Sequence, residues 1–154
     1  AGAVLQYIRI GAYTMNADYI FLPVLAQVLL TLTVFVRLAK AKAAAAAAGD
    51  VDETRRALHA DAWPDHVIQL NNNIRNQFEV PVLFYVVCMA LWAMQVSSIA
   101  VHALAWLFVI SRVIHVVIHT GSNVVALRRR VFLSGCLLVM VLTLAAVLAV
   151  LGVI

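Results

Sequence analysis

The stretch NNNIRNQFEVPVLFYVV, residues 71–87, joins a polar segment of this chain directly to a strongly apolar one. It begins with asparagines, an arginine and a glutamate, and the apolar run that follows continues to about residue 95. An apolar helix of about 20 residues is long enough to cross the ~30 Å hydrocarbon core of a bilayer. Charged side chains in such a helix are costly in lipid and usually mark a functional site. The stretch therefore predicts a membrane helix whose polar end has a specific role.

The whole chain has the composition of an integral membrane protein. Its 154 residues are 65% hydrophobic and only 12% charged, whereas soluble domains are roughly half apolar and about a quarter charged. Runs long enough to span a bilayer lie at about residues 19–39, 72–95, 98–118 and 131–153, with one long loop at residues 40–71. We therefore predict a single all-α domain, a bundle of four transmembrane helices in the lipid bilayer.

The basic residues predict the orientation of this bundle. They concentrate in the loops at residues 40–71 and 119–130, and such loops stay on the cytoplasmic side. Both termini are then expected on the opposite side. The net charge of +4 reflects this bias and does not indicate binding of nucleic acid. No cleavable signal peptide is expected, because the first apolar run is too long; whether residues 1–14 precede a natural start at Met15 is left open.

The long loop has its own local signals. Its alanine run is expected to extend the first helix to Gly49, and residues 52–60 to form a short second helix. Trp63 is expected to lie at the membrane interface. The two cysteines, Cys88 and Cys136, both fall inside predicted spans, so we interpret them as buried apolar side chains and not as disulfide partners.

Ionisable residues within the predicted spans are candidates for function. Glu79 is the acidic residue of the second span, and Arg112, His115 and His119 lie in the third. If these spans form an antiparallel hairpin that turns near Val96, Glu79 lies at the height of residue 113, about 25 Å from the turn. The sequence therefore predicts one charged layer, in which Glu79 pairs with Arg112.

The helical spacing predicts that the polar residues of this layer lie on a single face of each helix. Asn72, Asn76 and Glu79 stand at i, i+4 and i+7, and the three residues of the third span stand at i, i+3 and i+7. One carboxylate does not balance the arginines expected nearby, which are Arg37, Arg75, Arg112 and Arg128. The surplus positive charge therefore indicates an anionic ligand.

Four segments together carry a resemblance to a known family: VRLAKAK (36–42), NIRNQFEVPVLFY (73–85), RVIHVVIH (112–119) and RRRVF (128–132). They resemble the membrane-associated proteins in eicosanoid and glutathione metabolism, the MAPEG family. The strongest motif is the Arg-Asn-x-x-Glu-x-Pro run formed by Arg75, Asn76, Glu79 and Pro81. The resemblance covers essentially the whole chain. It implies a homotrimer that binds glutathione between neighbouring subunits, in the cytoplasmic half of the membrane.

The resemblance also implies roles for individual residues. Arg128 is the implied catalytic residue, which favours the glutathione thiolate. The implied glutathione-binding residues are Arg37, Arg75, Asn76, Glu79, Arg112, His115 and His119. The implied activity is that of a membrane-bound, glutathione-dependent transferase or peroxidase-like enzyme, which conjugates the thiolate to a lipophilic small molecule. Glutathione is then a co-substrate. No haem is expected, because the histidines of the spans all lie on the third. No metal is expected either, because His115 and His119 lack a convincing third ligand apart from Glu79 and Arg112 would repel the ion.

The chain also departs from the family pattern. His119 and Phe132 stand where well-studied members have tyrosines, and Asn72 stands where they have an arginine. Arg129 and Arg130 leave the register of the catalytic arginine open. These departures resemble a bacterial branch of the family, so a bacterial inner membrane is the expected location. They also keep an alternative open: a non-catalytic subunit with the MAPEG fold, docked in a larger membrane complex.

Overall fold

The computed structural model describes residues 15–153, and the long regular elements in that range are all helices. The α-helices are α1 (Phe21–Ala48), α2 (Asp65–Gln77), α3 (Val80–Ala93), α4 (Ile99–Thr120) and α5 (Val125–Val150). They supply four segments long and apolar enough to cross a membrane: Ala17–Ala48, Asp65–Ala93, Ile99–Thr120 and Val125–Val150. The predicted all-α bundle of four membrane-spanning segments is thus confirmed.

The four segments run alternately up and down. At one end, the start of the first segment contacts the turn between α3 and α4: Trp92 Nε1 donates to Asp18 Oδ1 at 2.8 Å, and the Ser97 hydroxyl donates to the Met15 carbonyl at 2.6 Å. The connections at residues 49–64 and 121–124 lie at the other end, where Asp65 and Asn123 line one cavity. We call this the basic end, because both connections are flanked by lysines and arginines.

The first helix is longer than the predicted span, and the connection after it is correspondingly shorter. Helix α1 ends at Gly49, as the sequence predicts; its φ of 74° is a left-handed conformation that glycine adopts without strain. Residues 52–60 form hydrogen-bonded turns instead of the predicted short helix. An ion pair of 2.7 Å between Arg55 and Asp61 closes these turns, and its hydrogen bond lowers the pKa of Asp61.

The second segment is not one continuous helix. Helix α2 ends at Gln77 and α3 begins at Val80. Pro81 explains the break, because proline has no N–H to donate to the carbonyl of Gln77 and its ring would clash with that carbonyl in a continuous helix. The polar and apolar parts of residues 71–87 therefore belong to two different helices, which meet near the middle of the bundle.

The interior consists of two apolar clusters with polar side chains between them. One cluster surrounds Phe84 and Phe108, whose rings stack with centroids 4.2 Å apart; the other, at the basic end, includes Val34 and Val67. Gly135 allows α5 to approach α4 closely, since a Cβ at this position would lie 3.3 Å from the Ser111 hydroxyl. The buried polar side chains around this level are Gln27, Thr31, Asn73, Gln77, Ser111, Arg112, His115 and His119.

Candidate functional site

Arg112 is the largest side chain that the described part of the bundle buries completely. Its Nη2 donates to the backbone carbonyl of Asn76 at 3.2 Å, and its Nε and Nη1 have no hydrogen-bond partner among the described residues. The break between α2 and α3 makes this contact possible, because in a continuous helix the carbonyl of Asn76 would accept from the N–H of Val80. A buried guanidinium without a counter-charge is strongly unfavourable. Its unpartnered nitrogens are therefore candidate hydrogen-bond donors to an anion.

The predicted ion pair between Glu79 and Arg112 was wrong for the single chain. Within residues 15–153, the ion pairs all lie in the connection between Asp52 and Asp61, and Glu79 is exposed. The i, i+4, i+7 spacing holds only for a continuous helix, and the break at residues 78–79 takes Glu79 out of register. Asn72 is exposed too, and Asn76 is half-buried. The face that α2 buries carries Asn73 and Gln77 instead.

These two side chains belong to a group that we call the amide chain: Gln27, Gln77 and Asn73. Gln27 Nε2 donates to Gln77 Oε1 at 2.9 Å, and Gln77 Nε2 donates to Asn73 Oδ1 at 3.2 Å. All three residues are buried. The chain joins α1 to α2 across the middle of the bundle. Sequence reasoning missed Gln27 and Gln77, although Gln27, as an isolated glutamine in an apolar run, is a usable signal for a buried polar contact.

His115 and His119 of α4 lie on the same face as Arg112, as their spacing predicts. The rings of His115 and His119 are 5.4 Å apart between centroids. His119 Nδ1 lies 3.4 Å from Asn76 Nδ2, whereas neither ring nitrogen of His115 has a partner among the described residues. The ring of Phe132 lies 5.9 Å from His115 and 5.9 Å from the Arg112 guanidinium carbon. Phe132 therefore forms an apolar wall beside these polar groups.

Arg128 connects this region to two cavities at the basic end. Its Nη1 donates to Asn123 Oδ1 at 2.6 Å. One cavity, of about 310 Å³, lies against Asn76, His115 and Phe132, and the other, of about 290 Å³, lies against Asp65 and His119; Arg128 lines both. We call Arg112, His115, His119 and Arg128 the Arg–His cluster.

Asp65 is a site residue that sequence reasoning missed. Among the described residues that line the two cavities, it is the one carboxylate. It was assigned to the loop at residues 40–71, but the structure makes it the first residue of α2. An aspartate directly after a proline is a common signal for the first turn of a helix, so Asp65 after Pro64 could have indicated this placement.

The remaining predicted site residues are exposed in the single chain and line neither of the two cavities. Arg37 is exposed on α1, and Arg75 is exposed and lines a different cavity at the basic end. The fold thus brings Asn76 together with Arg112, His115, His119 and Arg128, and it leaves Arg37, Arg75 and Glu79 on the surface.

Cationic side chains surround the two histidines of this site. Within residues 15–153, no three His, Cys, Asp or Glu side chains are placed to hold a metal ion together. The two histidines instead share their surroundings with the guanidinium groups of Arg112 and Arg128, which would repel a metal ion.

Comparison with known proteins identifies the family of the chain. No curated protein matches it. No solved structure matches it either. Residues 20–148, which include the greater part of all four membrane-spanning segments, match the MAPEG family. This match covers most of the chain, including the Arg-Asn-x-x-Glu-x-Pro run and the whole Arg–His cluster. The protein therefore belongs to the MAPEG family.

Proposed function

We propose that this protein is a glutathione-dependent transferase of the membrane, in which the Arg–His cluster binds glutathione and activates its thiol. The observation that carries the proposal is the buried Arg112, whose Nε and Nη1 lack partners among the described residues. A carboxylate or thiolate would supply the missing counter-charge. Membership of a family whose activities include glutathione transferases supports this choice of anion.

The charges of the two cavities match those of the tripeptide. Glutathione has two carboxylates, an ammonium group and a thiol, and arginines bind carboxylates through paired, charge-assisted hydrogen bonds. Arg128 and Arg129 line the larger cavity. Asp65 lines the other, where it could accept hydrogen bonds from the ammonium group. The hydrogen bond from Arg128 to Asn123 fixes one edge of that guanidinium between the two cavities.

The reaction needs a thiolate at neutral pH. A free thiol has a pKa of about 8.5, so only a small fraction is ionised. A guanidinium beside the sulfur favours the thiolate, and each pKa unit corresponds to about 1.4 kcal/mol. We assign this role to Arg128. The thiol proton goes to water, and a sulfur lone pair forms a C–S bond to the electrophilic carbon of a lipophilic substrate. In a substitution, the electron pair of the broken bond departs with the leaving group. In an addition, the displaced electron pair takes up a proton.

Two of the residues left on the surface are expected to complete the site from a neighbouring copy. In a homotrimer, Arg37 and Arg75 would face the adjacent subunit and hold the remaining carboxylate, whereas Glu79 would stay exposed. The basic end is expected to be cytoplasmic, and the membrane a bacterial inner membrane. The lipophilic substrate would then arrive from the bilayer, and glutathione from the cytoplasm. Native mass spectrometry in mild detergent tests the assembly, since a species of only one chain contradicts it.

A second candidate is a non-catalytic subunit of a larger membrane complex. A specific observation favours it: among the described residues that line the two cavities, none is a serine, threonine or tyrosine. A hydroxyl group that could donate to the sulfur is therefore missing there. His119 and Phe132 occupy the positions at which the resemblance leads one to expect tyrosines.

A glutathione titration separates these candidates. The thiolate absorbs in the far ultraviolet, so one titration at neutral pH reports both binding and ionisation. Arg37→Ala and Arg75→Ala should weaken binding about ten- to a hundredfold, which corresponds to ~1.5–3 kcal/mol for a charge-assisted contact. Arg128→Ala should mainly reduce the thiolate signal. Arg130→Ala is the matched control, because Arg130 has the same charge but is exposed and lines neither cavity of the site.

The result that would overturn the proposal is equally direct. If the parent protein shows neither binding nor a thiolate signal at millimolar glutathione, the non-catalytic subunit replaces the transferase as the proposed function.

The role of Asp65 has its own test. Asp65→Asn should weaken the binding of glutathione but leave unchanged the binding of an analogue that lacks the amino group.

A further inference from the structure

A third basic cavity lies at the same end of the bundle, between α1, α2 and the connection at residues 49–64. Its volume is about 210 Å³. The polar side chains that line it come from all three parts of the chain: Lys42, Arg56, His59, Asn71 and Arg75. No carboxylate of the described residues lines it. The cavity therefore presents several cationic donors with no anion among its walls.

Lys42 and Arg56, two of the cationic side chains of this cavity, each contact a neighbouring group. Lys42 Nζ lies 4.9 Å from the centroid of the Trp63 ring. Arg56 Nε donates to Glu53 at 2.9 Å, but both side chains of this pair are about half exposed. Exposed pairs of this kind are weak, so the charge of Arg56 remains available to a ligand. Asn71 and Arg75 stand one turn apart on α2 and reach the same cavity.

The position of the cavity along the bundle limits the class of ligand. Helix α1 has 28 residues, a length of about 42 Å at 1.5 Å per residue, which exceeds the ~30 Å hydrocarbon core. Lys42 lies near the end of this helix, and Trp63 is a residue type that prefers the membrane interface. Phosphate groups are the main anions at this level, and clustered lysines and arginines beside a membrane helix are suited to them.

We infer that this cavity binds a phosphate group, carried either by an anionic lipid headgroup or by a soluble phosphate compound. The inference goes beyond the proposed glutathione chemistry and uses a different cavity. Lys42 and Arg56 are the residues that define it, because Arg75 is also expected to contribute to glutathione binding. Variants of Lys42 and Arg56 therefore test the phosphate site independently of the transferase proposal.

The experiment uses the full protein in mild detergent with three probes: phosphatidic acid, zwitterionic phosphatidylcholine and inorganic phosphate. Native mass spectrometry measures retained lipid, and thermal unfolding measures stabilisation by inorganic phosphate. The double variant Lys42→Gln/Arg56→Gln should weaken binding about fivefold for each charge removed. The matched control is Lys40→Gln/Arg130→Gln, which removes the same charge from two exposed positions outside the cavity.

Each outcome decides the inference. Phosphatidic acid retained in preference to phosphatidylcholine, and lost in the Lys42/Arg56 variant alone, supports a lipid headgroup. Stabilisation by inorganic phosphate that the same variant loses supports a soluble ligand. Equal losses in the two double variants, or no response of the parent to either phosphate probe, overturn the site. Glutathione affinity should be the same in both double variants; a fall confined to Lys42→Gln/Arg56→Gln assigns the cavity to glutathione and also overturns the inference.

Discussion

The amide chain and the Arg–His cluster are both buried polar groups in the middle of this bundle, but they differ in how their hydrogen-bonding groups are satisfied. In the amide chain, each side chain bonds to another member, at 2.9 and 3.2 Å, although Gln27 Oε1 and Asn73 Nδ2 have no partner among the described residues. In the Arg–His cluster, Arg112 uses one nitrogen for a backbone carbonyl and His115 uses none. Both groups contact helix α2: its Asn73 and Gln77 side chains belong to the amide chain, and its Asn76 carbonyl accepts a hydrogen bond from Arg112.

This difference separates a group that stabilises the fold from one that is arranged for a ligand. Hydrogen bonds within the amide chain offset the cost of removing its polar atoms from water. The unpartnered nitrogens of Arg112 and His115 lack this compensation within the single chain. Apolar substitutions should therefore have opposite signs in the two groups: they should destabilise the protein in the amide chain and stabilise it in the Arg–His cluster.

The largest effect is expected for Arg112→Met. This change removes a buried charge that forms no direct ion pair among the described residues and puts an unbranched apolar side chain in its place. We expect the free energy of unfolding to rise by about 1–4 kcal/mol, the range seen when buried charged groups are replaced by well-packed apolar ones. Thermal unfolding in detergent without glutathione measures the change, and a glutathione titration of the same variant should show no binding.

Arg112→Lys is the control for that prediction, because it keeps the charge in the same place and should give no gain in stability. A lower melting temperature for Arg112→Met than for the parent would mean that Arg112 is satisfied by a group outside the single chain. The comparison between the two polar groups would then fail.

The next largest effect is expected for Gln77→Leu, in the amide chain. The change removes the side chain that accepts from Gln27 Nε2 and donates to Asn73 Oδ1, so both of these buried groups lose a hydrogen bond. We expect the free energy of unfolding to fall by about 1–3 kcal/mol. The double variant Gln27→Leu/Gln77→Leu should lose less than the sum of the two single changes, as a double-mutant cycle would measure. Strict additivity would show that the two side chains do not interact.

His115→Phe should have a smaller effect, again in the stabilising direction. Phenylalanine keeps a ring beside Phe132 and removes two buried nitrogens that have no partner among the described residues. We expect a gain of about 1 kcal/mol, the lower part of the cost of a buried unsatisfied group. Thermal unfolding without ligand tests it, with His66→Phe as a control at an exposed position of α2. Loss of stability would show that a ligand or a partner normally satisfies His115.

Much of this fold is accessible from the sequence, for a physical reason. The hydropathy of the four apolar runs alone fixes the class of bundle, because helices of that length and composition have few alternatives in a bilayer. Arg112, His115 and His119 lie in one uninterrupted helix, so their spacing correctly placed them on one buried face. The hairpin argument likewise placed the polar end of the second span at the level of Arg112, where the Asn76 carbonyl accepts from it.

Two of the features that the sequence did not reveal depend on where helices begin and end, and a third depends on how helices pack. Pro81 interrupts the second segment, and the spacing argument therefore gave the wrong face for Glu79. Asp65 was assigned to a loop, although it starts α2 and lines a cavity of the site. The pairing of Gln27 with Gln77 depends on how α1 packs on α2, which periodicity in either helix does not determine.

The smallest effect is expected for Glu79→Gln, and it tests the correction to the predicted ion pair. Breaking a buried pair with Arg112 would lower the free energy of unfolding by ~3–5 kcal/mol. Because Glu79 is exposed in the single chain, we expect a change within about 0.5 kcal/mol, as for most surface substitutions. Glu53→Gln, at another exposed glutamate, gives the matched comparison by thermal unfolding. A loss of several kcal/mol for Glu79→Gln alone would mean that this carboxylate is buried by a neighbouring copy of the chain, where it could supply the counter-charge that Arg112 lacks.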